Sequence, residues 1–119
     1  MSKTIKLRKD ILSLIKKQHD NIFYRIAPAN ATYPYIVIRV RDIFEAKELE
    51  IDYWDKDDTS VRIETLADNI EKLLNNELIN NENHTLIFYY NEDRKIVDDE
   101  DKSIQRINES FEIRYYGKE

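Results

Sequence analysis

Histidines and closely spaced acids are the side chains in this sequence best suited to chemistry. His19 and His84 stand far apart, and neither has the HxxxH or HxH spacing that places two imidazoles on one metal ion. Two acid pairs are Asp55 with Asp58 and Asp98 with Asp101. Such pairs could in principle hold a divalent cation, but they lack the spacing and the central glycine of an EF-hand loop. The pattern therefore predicts surface histidines and solvated acids, with no metal and no cofactor.

Motifs for nucleotide binding and for nucleophilic catalysis are absent from the sequence. The chain has one glycine, Gly117, whereas a Walker A loop or a GxGxxG turn needs several to bring backbone amides close to phosphate. The lack of cysteine excludes disulfides, thiolate metal sites and cysteine nucleophiles. No serine stands in a GxSxG motif. We therefore expect a protein that is not an enzyme. The enzymatic alternative is a small metal-dependent nuclease or toxin-like RNase, which a Mg²⁺-dependent cleavage assay would reveal.

Length and composition indicate one globular domain over residues 1–119. Hydrophobic residues make up 41% of the chain and charged residues 36%, and no apolar run approaches the roughly 18 residues of a membrane span. The N-terminal stretch MSKTIKLRKDILSLIKK is cationic, but lysine and arginine interrupt its apolar residues, so it does not match a signal peptide. We expect no membrane contact and a cytoplasmic location.

Charge is distributed unevenly along the chain. Residues 1–41 contain nine basic and two acidic side chains, residues 42–101 contain six and nineteen, and residues 102–119 contain four and three. Because affinity for nucleic acid comes chiefly from many Lys and Arg contacts to phosphate, an overall net charge of −5 argues against a broad nucleic-acid surface. Segregated charge can instead attract the basic face of one subunit to the acidic face of another.

Apolar spacing predicts two helices. From Thr4 to Lys17 the apolar residues fall mostly at helical spacing among lysines and arginines. The second helix has the most regular stripe: Ile63, Leu66, Ala67, Ile70, Leu73 and Leu74. Asp57, Asp58 and Thr59 offer an N-cap for it, and Asn75 and Asn76 suit a left-handed exit.

Alternating patterns predict strands around these helices. The predicted strands are 21–26, 35–40, 48–53, 86–90 and 104–116, with two prolines bracketing the loop 27–34. Glu48, Glu50 and Asp52 alternate with Leu49, Ile51 and Tyr53, which predicts one wet face and one packed face. The tip of the hairpin that joins the second and third strands is expected near residues 44–47. In the last strand Glu109 interrupts the apolar face, which we interpret as a bulge.

The predicted order is α-β-β-β-α-β-β. Layer rules then give an α+β fold, a mainly antiparallel sheet with two helices packed on one face. Residues 91–102 are dense in acid and predict a mobile loop. Several aromatic residues would crowd the other sheet face, and some of them are expected to meet a partner: Tyr33, Tyr35, Tyr53, Trp54, Tyr89, Tyr90 and Tyr116.

The order and spacing of four segments resemble the tail-completion, or tail-terminator, family of long-tailed bacteriophages and prophages. The segments are Pro34-Tyr35-Ile36-Val37, the strand from Leu49 to Trp54 (LEIDYW), the amphipathic helix Ile63 to Leu74, and the strand Arg106 to Tyr116. The resemblance spans nearly the whole chain. These are packing and strand signatures, and none of them is a catalytic motif. The acidic insert at residues 91–102 departs from the family pattern.

The resemblance implies a structural role in the virion, at the interface of head and tail, after assembly in the host cytoplasm. Subunits of this family close into a ring, commonly a hexamer, that caps the tail tube and meets the head connector, while DNA only passes through the channel. The expected partners are therefore other copies of the chain, the tail tube protein and the connector or stopper protein, with no membrane. We expect subunit or tail contacts at seven residues: Lys6, Lys9, Lys16, Phe44, Glu48, Glu50 and Asp52. The acids could alternatively line the channel, where like charge would keep DNA from adhering.

Two further functions fit the same features. A head-tail connector or stopper subunit shares the small α+β size and the ring. A phage accessory module that binds a host factor would instead show a specific soluble partner and no affinity for tails.

Overall fold

The computed structural model describes residues 2–118 and has the predicted α+β architecture. Its elements are α1 (Lys3–Lys16), β1 (Ile22–Tyr24), β2 (Tyr35–Ile43), β3 (Ala46–Lys56), α2 (Val61–Leu74), β4 (Leu78–Asn80), β5 (His84–Tyr90), β6 (Lys95–Ile96) and β7 (Ile104–Gly117). The predicted order is confirmed, with two short strands, β4 and β6, that the pattern did not predict. No helix in this part of the chain is long and apolar enough to cross a membrane.

The strands form one seven-stranded sheet in the order β1-β2-β3-β7-β5-β4. Strand β1 runs parallel to β2, and all other neighbours are antiparallel. The short strand β6 pairs with the first half of β7, on the side where β5 pairs with the second half. The long strand β7 is thus the centre of the sheet, and β3 lies along its other side.

Both helices pack on the same face of the sheet, which we call the inner face. Leu7, Ile11, Leu14 and Ile15 of α1 are buried in one cluster with the apolar stripe of α2 and the inward side chains of the strands. Those inward residues alternate along each strand as the sequence predicts, for example Leu49, Ile51 and Tyr53 of β3. Burial of these two helical stripes is what holds the layers together.

The helix ends follow the capping expectation in part. Ser2 caps α1 by accepting a hydrogen bond from the Ile5 backbone N–H at 3.2 Å. For α2 the predicted cap lies one residue too early, because the N-cap is Ser60 and its hydroxyl bonds the Glu64 carboxylate at 2.6 Å. Asn76 takes the left-handed conformation after α2, with φ of 66°.

Strand pairing places the hairpin turn within the predicted range and corrects two other local expectations. The two-residue turn of the β2–β3 hairpin is Phe44-Glu45, and Lys47 already belongs to β3. No bulge occurs at Glu109, because the pairing of β7 with β3 runs without interruption from Lys47↔Ile113 to Lys56↔Ile104. The acidic insert is not a loop throughout, since β6 lies within it.

Candidate interface surfaces

The three predicted acids of β3 lie on the outer face of the sheet, which carries no helix. In the pairing of β2 with β3, Glu48 stands opposite Arg41, Glu50 opposite Arg39, and Asp52 opposite Val37. Arg41 Nε donates to Glu48 at 2.8 Å, and Arg39 Nη1 donates to Asp52 at 2.8 Å and reaches Glu50 at 3.5 Å. The structure therefore confirms the wet face but shows that each carboxylate has a cationic partner.

The outer face is not acidic, contrary to the expectation of an acidic surface. Across strands β2, β3, β6 and β7 its charged side chains are six basic and four acidic. The basic residues are Arg39, Arg41, Lys56, Lys95, Arg106 and Arg114, and the acidic ones are Glu48, Glu50, Asp52 and Glu112. Sequence alone missed this balance because the neutralising arginines come from other strands or from other positions along the same strand.

Aromatic residues form a patch at one end of the outer face. Tyr35 stacks on Trp54 with ring centroids 6.0 Å apart, and Phe23 and Tyr33 contact Tyr35 from its other sides. The guanidinium of Arg106 lies 3.8 Å from the centre of the Trp54 ring. Packing against Tyr33 and Trp54 leaves Tyr35 half-buried, and burial raises the pKa of its hydroxyl.

Two of the aromatic residues expected on the outer face belong to the inner one, and for Tyr53 the alternation along β3 already predicts the inner side. Tyr53 is fully buried beneath the helices, and Tyr90 is half-buried with its ring 5.0 Å from that of Phe111. Tyr33, Tyr89 and Tyr116 remain exposed.

The three predicted lysines share one side of α1. At about 3.6 residues per turn, positions 6, 9 and 16 project away from the buried positions 7, 11, 14 and 15. Lys9 and Lys16 are exposed and Lys6 is half-buried, and none of the three forms a salt bridge with a residue in the range 2–118. We call this side, defined by Lys6, Lys9 and Lys16, the basic face of α1. It lies across the helical layer from the outer sheet face, so the structure does not bring these lysines together with Glu48, Glu50 and Asp52.

Phe44 stands at the tip of the β2–β3 hairpin with 90% of its surface exposed. A fully exposed phenylalanine contributes nothing to the core, and its exposure fits a contact made only on assembly. It lies at the opposite end of the β2–β3 pair from the aromatic patch, where Tyr35 stands opposite Trp54.

A buried polar network surrounds Glu109, the residue that interrupts the apolar face of β7. Its carboxylate is fully buried and accepts hydrogen bonds from the Tyr53 hydroxyl at 2.5 Å, the Tyr90 hydroxyl at 3.0 Å and Arg94 Nε at 2.7 Å. Arg94 also donates to Asp68 at 2.6 Å and Glu71 at 3.2 Å, both on α2. The network therefore fixes the start of the acidic insert against α2. An acid at a predicted inward position is the one sequence signal that points to it.

A second contact holds the insert on β7. The Asp93 carboxylate accepts from the Ser110 backbone N–H at 2.8 Å and from the Ser110 hydroxyl at 2.5 Å. Together with β6, these bonds anchor residues 93–97, so the prediction of an unstructured loop is wrong for this half of the insert.

The pKa values of three members of the network, Tyr53, Tyr90 and Arg94, are all raised. Burial, and then the neighbouring Glu109 carboxylate, raises the pKa of Tyr90 to about 12 from its ordinary value of 10.0. The same two causes raise the pKa of Tyr53 well above its ordinary range. For Arg94 burial acts to lower the pKa, but hydrogen bonds to Glu109 and Asp68 outweigh it and the net pKa is raised. Both phenols thus stay protonated as donors and Arg94 stays charged at neutral pH.

Tyr90 is expected to make stability fall at high pH. Because its pKa is raised in the folded state, its stabilising contribution is complete below pH 10 and is lost as the pH rises toward about 12. We expect the free energy of unfolding of the Tyr90→Phe protein to fall less steeply between pH 10 and about 12 than that of the unmodified protein. Urea denaturation at several pH values measures this. Tyr116→Phe, which alters an exposed phenol, is the control and should follow the unmodified protein. Parallel curves for all three proteins would contradict the role assigned to Tyr90.

The two histidines occupy separate structural positions. His19 Nε2 lies 2.9 Å from the carbonyl oxygen of Pro34, and His84 is buried with Nε2 2.6 Å from the Asp10 carboxylate. The expectation of a surface histidine is therefore wrong for His84, which joins β5 to α1. Asp55 is also buried, and it accepts two hydrogen bonds from Arg62. Over residues 2–118 no three His, Cys, Asp or Glu side chains are grouped so that they could hold a metal ion.

Comparison with solved structures finds a similar fold in a virion. A chain of the structure described as "Virion of native gene transfer agent (GTA) particle" matches with a TM-score of 0.62 and 12% sequence identity. The match covers 89% of this chain and 94% of that chain, so the two share nearly the whole domain. At this identity the likeness shows a common fold. No protein-family model matches the chain, and no curated protein sequence matches it.

Proposed function

We propose that this protein is a structural component of a phage-like virion that caps the tail tube and joins it to the head connector. Subunits form a ring, commonly a hexamer, on the last ring of the tube, and the protein acts without turnover. The observation that carries this proposal is the similarity over nearly the full length of both chains to a chain of a gene transfer agent virion. The order of the PYIV, LEIDYW, helical and RINESFEIRYY segments supports the tail-terminator assignment within that class.

The experiment that tests the proposal is electron microscopy of particles made without the gene. Capping predicts full heads beside unjoined tails of irregular length, and added purified protein should restore joining. Empty heads beside tails of normal length would identify a stopper subunit instead. Normal particles, or a soluble host partner with no affinity for tails, would contradict a role in the virion.

We assign the basic face of α1 to a contact with an acidic surface in the assembled tail. Because none of its three lysines forms a salt bridge with an acid among residues 2–118, their charge is available to another protein. We expect the combined change Lys6→Glu, Lys9→Glu and Lys16→Glu to abolish ring formation or tail joining, assayed by sedimentation with tail tubes, while circular dichroism shows a folded protein.

A matched control makes the same change of charge elsewhere. Lys72→Glu, Lys102→Glu and Lys118→Glu alter three exposed lysines outside α1 and should leave joining intact. If both triple variants behave alike, overall charge and not the basic face of α1 governs assembly.

We assign the outer sheet face to the channel through which DNA passes. Three of its four arginines are paired with carboxylates: Arg39 and Arg41 with the β3 acids, and Arg114 with Glu112 at 2.7 Å. The fourth, Arg106, lies over the Trp54 ring. A guanidinium group that is already paired with a carboxylate displaces few counterions from DNA, so these three arginines add little affinity and DNA can slide past them. This replaces the expectation of repulsion by an acidic bore.

Neutralising the three acids should therefore create DNA affinity. We expect Glu48→Gln, Glu50→Gln and Asp52→Asn together to free Arg39 and Arg41 and to raise affinity for duplex DNA by about tenfold or more at low salt, with a steep loss as salt increases. Fluorescence anisotropy with a labelled duplex measures this. The control Asp57→Asn, Asp58→Asn and Glu64→Gln removes the same charge near α2 and should bind no better than the unmodified protein.

A further inference from the structure

The edge strand β2 is only partly covered. Strand β1 pairs with Ile36, Val37 and Ile38, and the rest of β2, residues 39–43, has no neighbour on that side within the described chain. The Ile36 N–H donates to Asn21 and the Ile38 carbonyl accepts from Arg25, both toward β1. Because backbone groups alternate in direction along a strand, those of Val40 and Asp42 point to the same open side. An extended segment can therefore lie along this edge.

A groove of about 370 Å³ follows the open edge between β2 and the first half of α1. Its charged lining is four arginines and two glutamates: Arg8, Arg25, Arg39, Arg41, Glu48 and Glu50. Arg39 and Arg41 are satisfied by the β3 acids, but Arg8 and Arg25 have no carboxylate partner in residues 2–118. The guanidinium of Arg8 lies over the Tyr24 ring at 4.8 Å, which holds it at the groove. We call this the arginine groove.

The most acidic stretch of the chain has the opposite character. Residues 98–101 are Asp-Asp-Glu-Asp, and three of the four are exposed. None of their carboxylates forms a salt bridge with the described residues. The Asp101 carboxylate accepts hydrogen bonds from the N–H and the hydroxyl of Ser103, and the Asp99 carboxylate accepts one from the Asp101 N–H. The segment is held at its start by the Val97 N–H, which donates to the Arg106 carbonyl at 3.0 Å, and at its end by the Ile104 N–H, which donates to the Asp101 carbonyl at 3.0 Å. It is a tethered, exposed acidic loop.

The arginine groove and the acidic loop lie toward opposite edges of the sheet. The groove borders β2, whereas the loop follows β6, and strands β3 and β7 lie between them. At about 4.8 Å between neighbouring strands this is a separation of roughly 14 Å across the sheet. Two complementary patches placed apart on one subunit join copies head to tail, which is the contact that closes a ring.

We propose that residues 98–101 of one subunit occupy the arginine groove of the next subunit. The carboxylates supply the partners that Arg8 and Arg25 lack, and the segment lies beside the open edge of β2. This inference rests on the proposed ring and specifies the contact between its subunits.

Chemical cross-linking tests the contact directly, because the chain contains no cysteine. Thr4 lines the groove and Glu100 lies in the loop, and both are exposed. A mixture of the Thr4→Cys and Glu100→Cys proteins, treated with a short bis-maleimide reagent at high protein concentration, should give mixed dimers. The yield should exceed by at least about fivefold that of Glu100→Cys mixed with Lys72→Cys, whose cysteine is exposed on α2, as expected for a specific charged contact.

Charge removal and single-variant reactions complete the test. Adding Arg8→Gln and Arg25→Gln to the Thr4→Cys protein should reduce the yield to that of the control, and so should 1 M salt. The proposal would be overturned if the yield of mixed dimers equalled that of the Lys72→Cys control. It would also be overturned if the Thr4→Cys protein alone gave as much cross-linked dimer as the mixture. Cross-linking of a protein that fails to join heads and tails would leave this contact standing while contradicting the proposed function. If the added protein restores the joining of heads and tails but the cysteine variants do not cross-link, the proposed function stands and this contact between subunits is contradicted.

Discussion

Replacing Glu109 with alanine is expected to lower the free energy of unfolding by about 3–5 kcal/mol, the usual cost of breaking a buried charged network from one side. The change leaves the fully buried Tyr53 hydroxyl without its acceptor and removes the fully buried one of the three carboxylates that Arg94 contacts in the described chain. Arg94 would keep Asp68 and Glu71, which are more exposed. Urea denaturation measures the loss.

Two comparisons separate the network from a general effect of losing an acid. Glu112→Ala changes the same strand on the outer face, where the carboxylate bonds Arg114, and should lower the free energy of unfolding by less than about 0.5 kcal/mol. In a double-mutant cycle, the loss of unfolding free energy in the Arg94→Ala/Glu109→Ala protein should be smaller than the sum of the losses in the two single variants. The reason is that either single change leaves the other residue's charge without its partner, and the second change removes that charge. Additive costs would show that the two residues are not coupled.

Replacing Phe111 with alanine is also expected to have a large effect. The cavity left by the ring should lower the free energy of unfolding by about 3–5 kcal/mol. Phe111 is fully buried on β7, opposite Leu49 of β3 and Tyr90 of β5, and its ring contacts that of Tyr90. The neighbours come from two strands that are fixed by their own pairing, so the space cannot collapse fully. Thermal and urea unfolding should both report the loss.

Tyr116 provides the matched control for this position. It is an aromatic residue on the same strand but on the outer face, with 57% of its surface exposed. Tyr116→Ala should change stability by no more than about 0.5 kcal/mol. Equal losses at both positions would mean that the two faces of β7 are assigned incorrectly, and with them the inner and outer faces of the whole sheet.

The fold was largely predictable because the periodicities of this chain are strong. The stripe from Ile63 to Leu74 and the alternation from Glu48 to Tyr53 each allow one way of burying apolar surface, and the structure adopts both. Strands β4 and β6 were missed because they are three and two residues long, too short to show a period.

The candidate site was less predictable, and Glu109 shows why. By sequence it is an acid at an inward position, a pattern that predicts a bulge. The structure instead keeps the register and supplies Tyr53, Tyr90 and Arg94 as partners, which come from three other parts of the chain. No local pattern indicates that these side chains converge.

The sequence by itself determined the α+β class, the packed side of strands β3 and β7, and the positions of the lysines on α1. These are properties of a single segment, set by the spacing of its own residues. Only the tertiary structure decided that the β3 acids are neutralised, that the acidic insert is anchored, and that the arginine groove and the acidic loop lie toward opposite edges of the sheet. Those results depend on which strand lies beside which and in what register, because hydrogen bonds and ion pairs form only between groups a few ångströms apart.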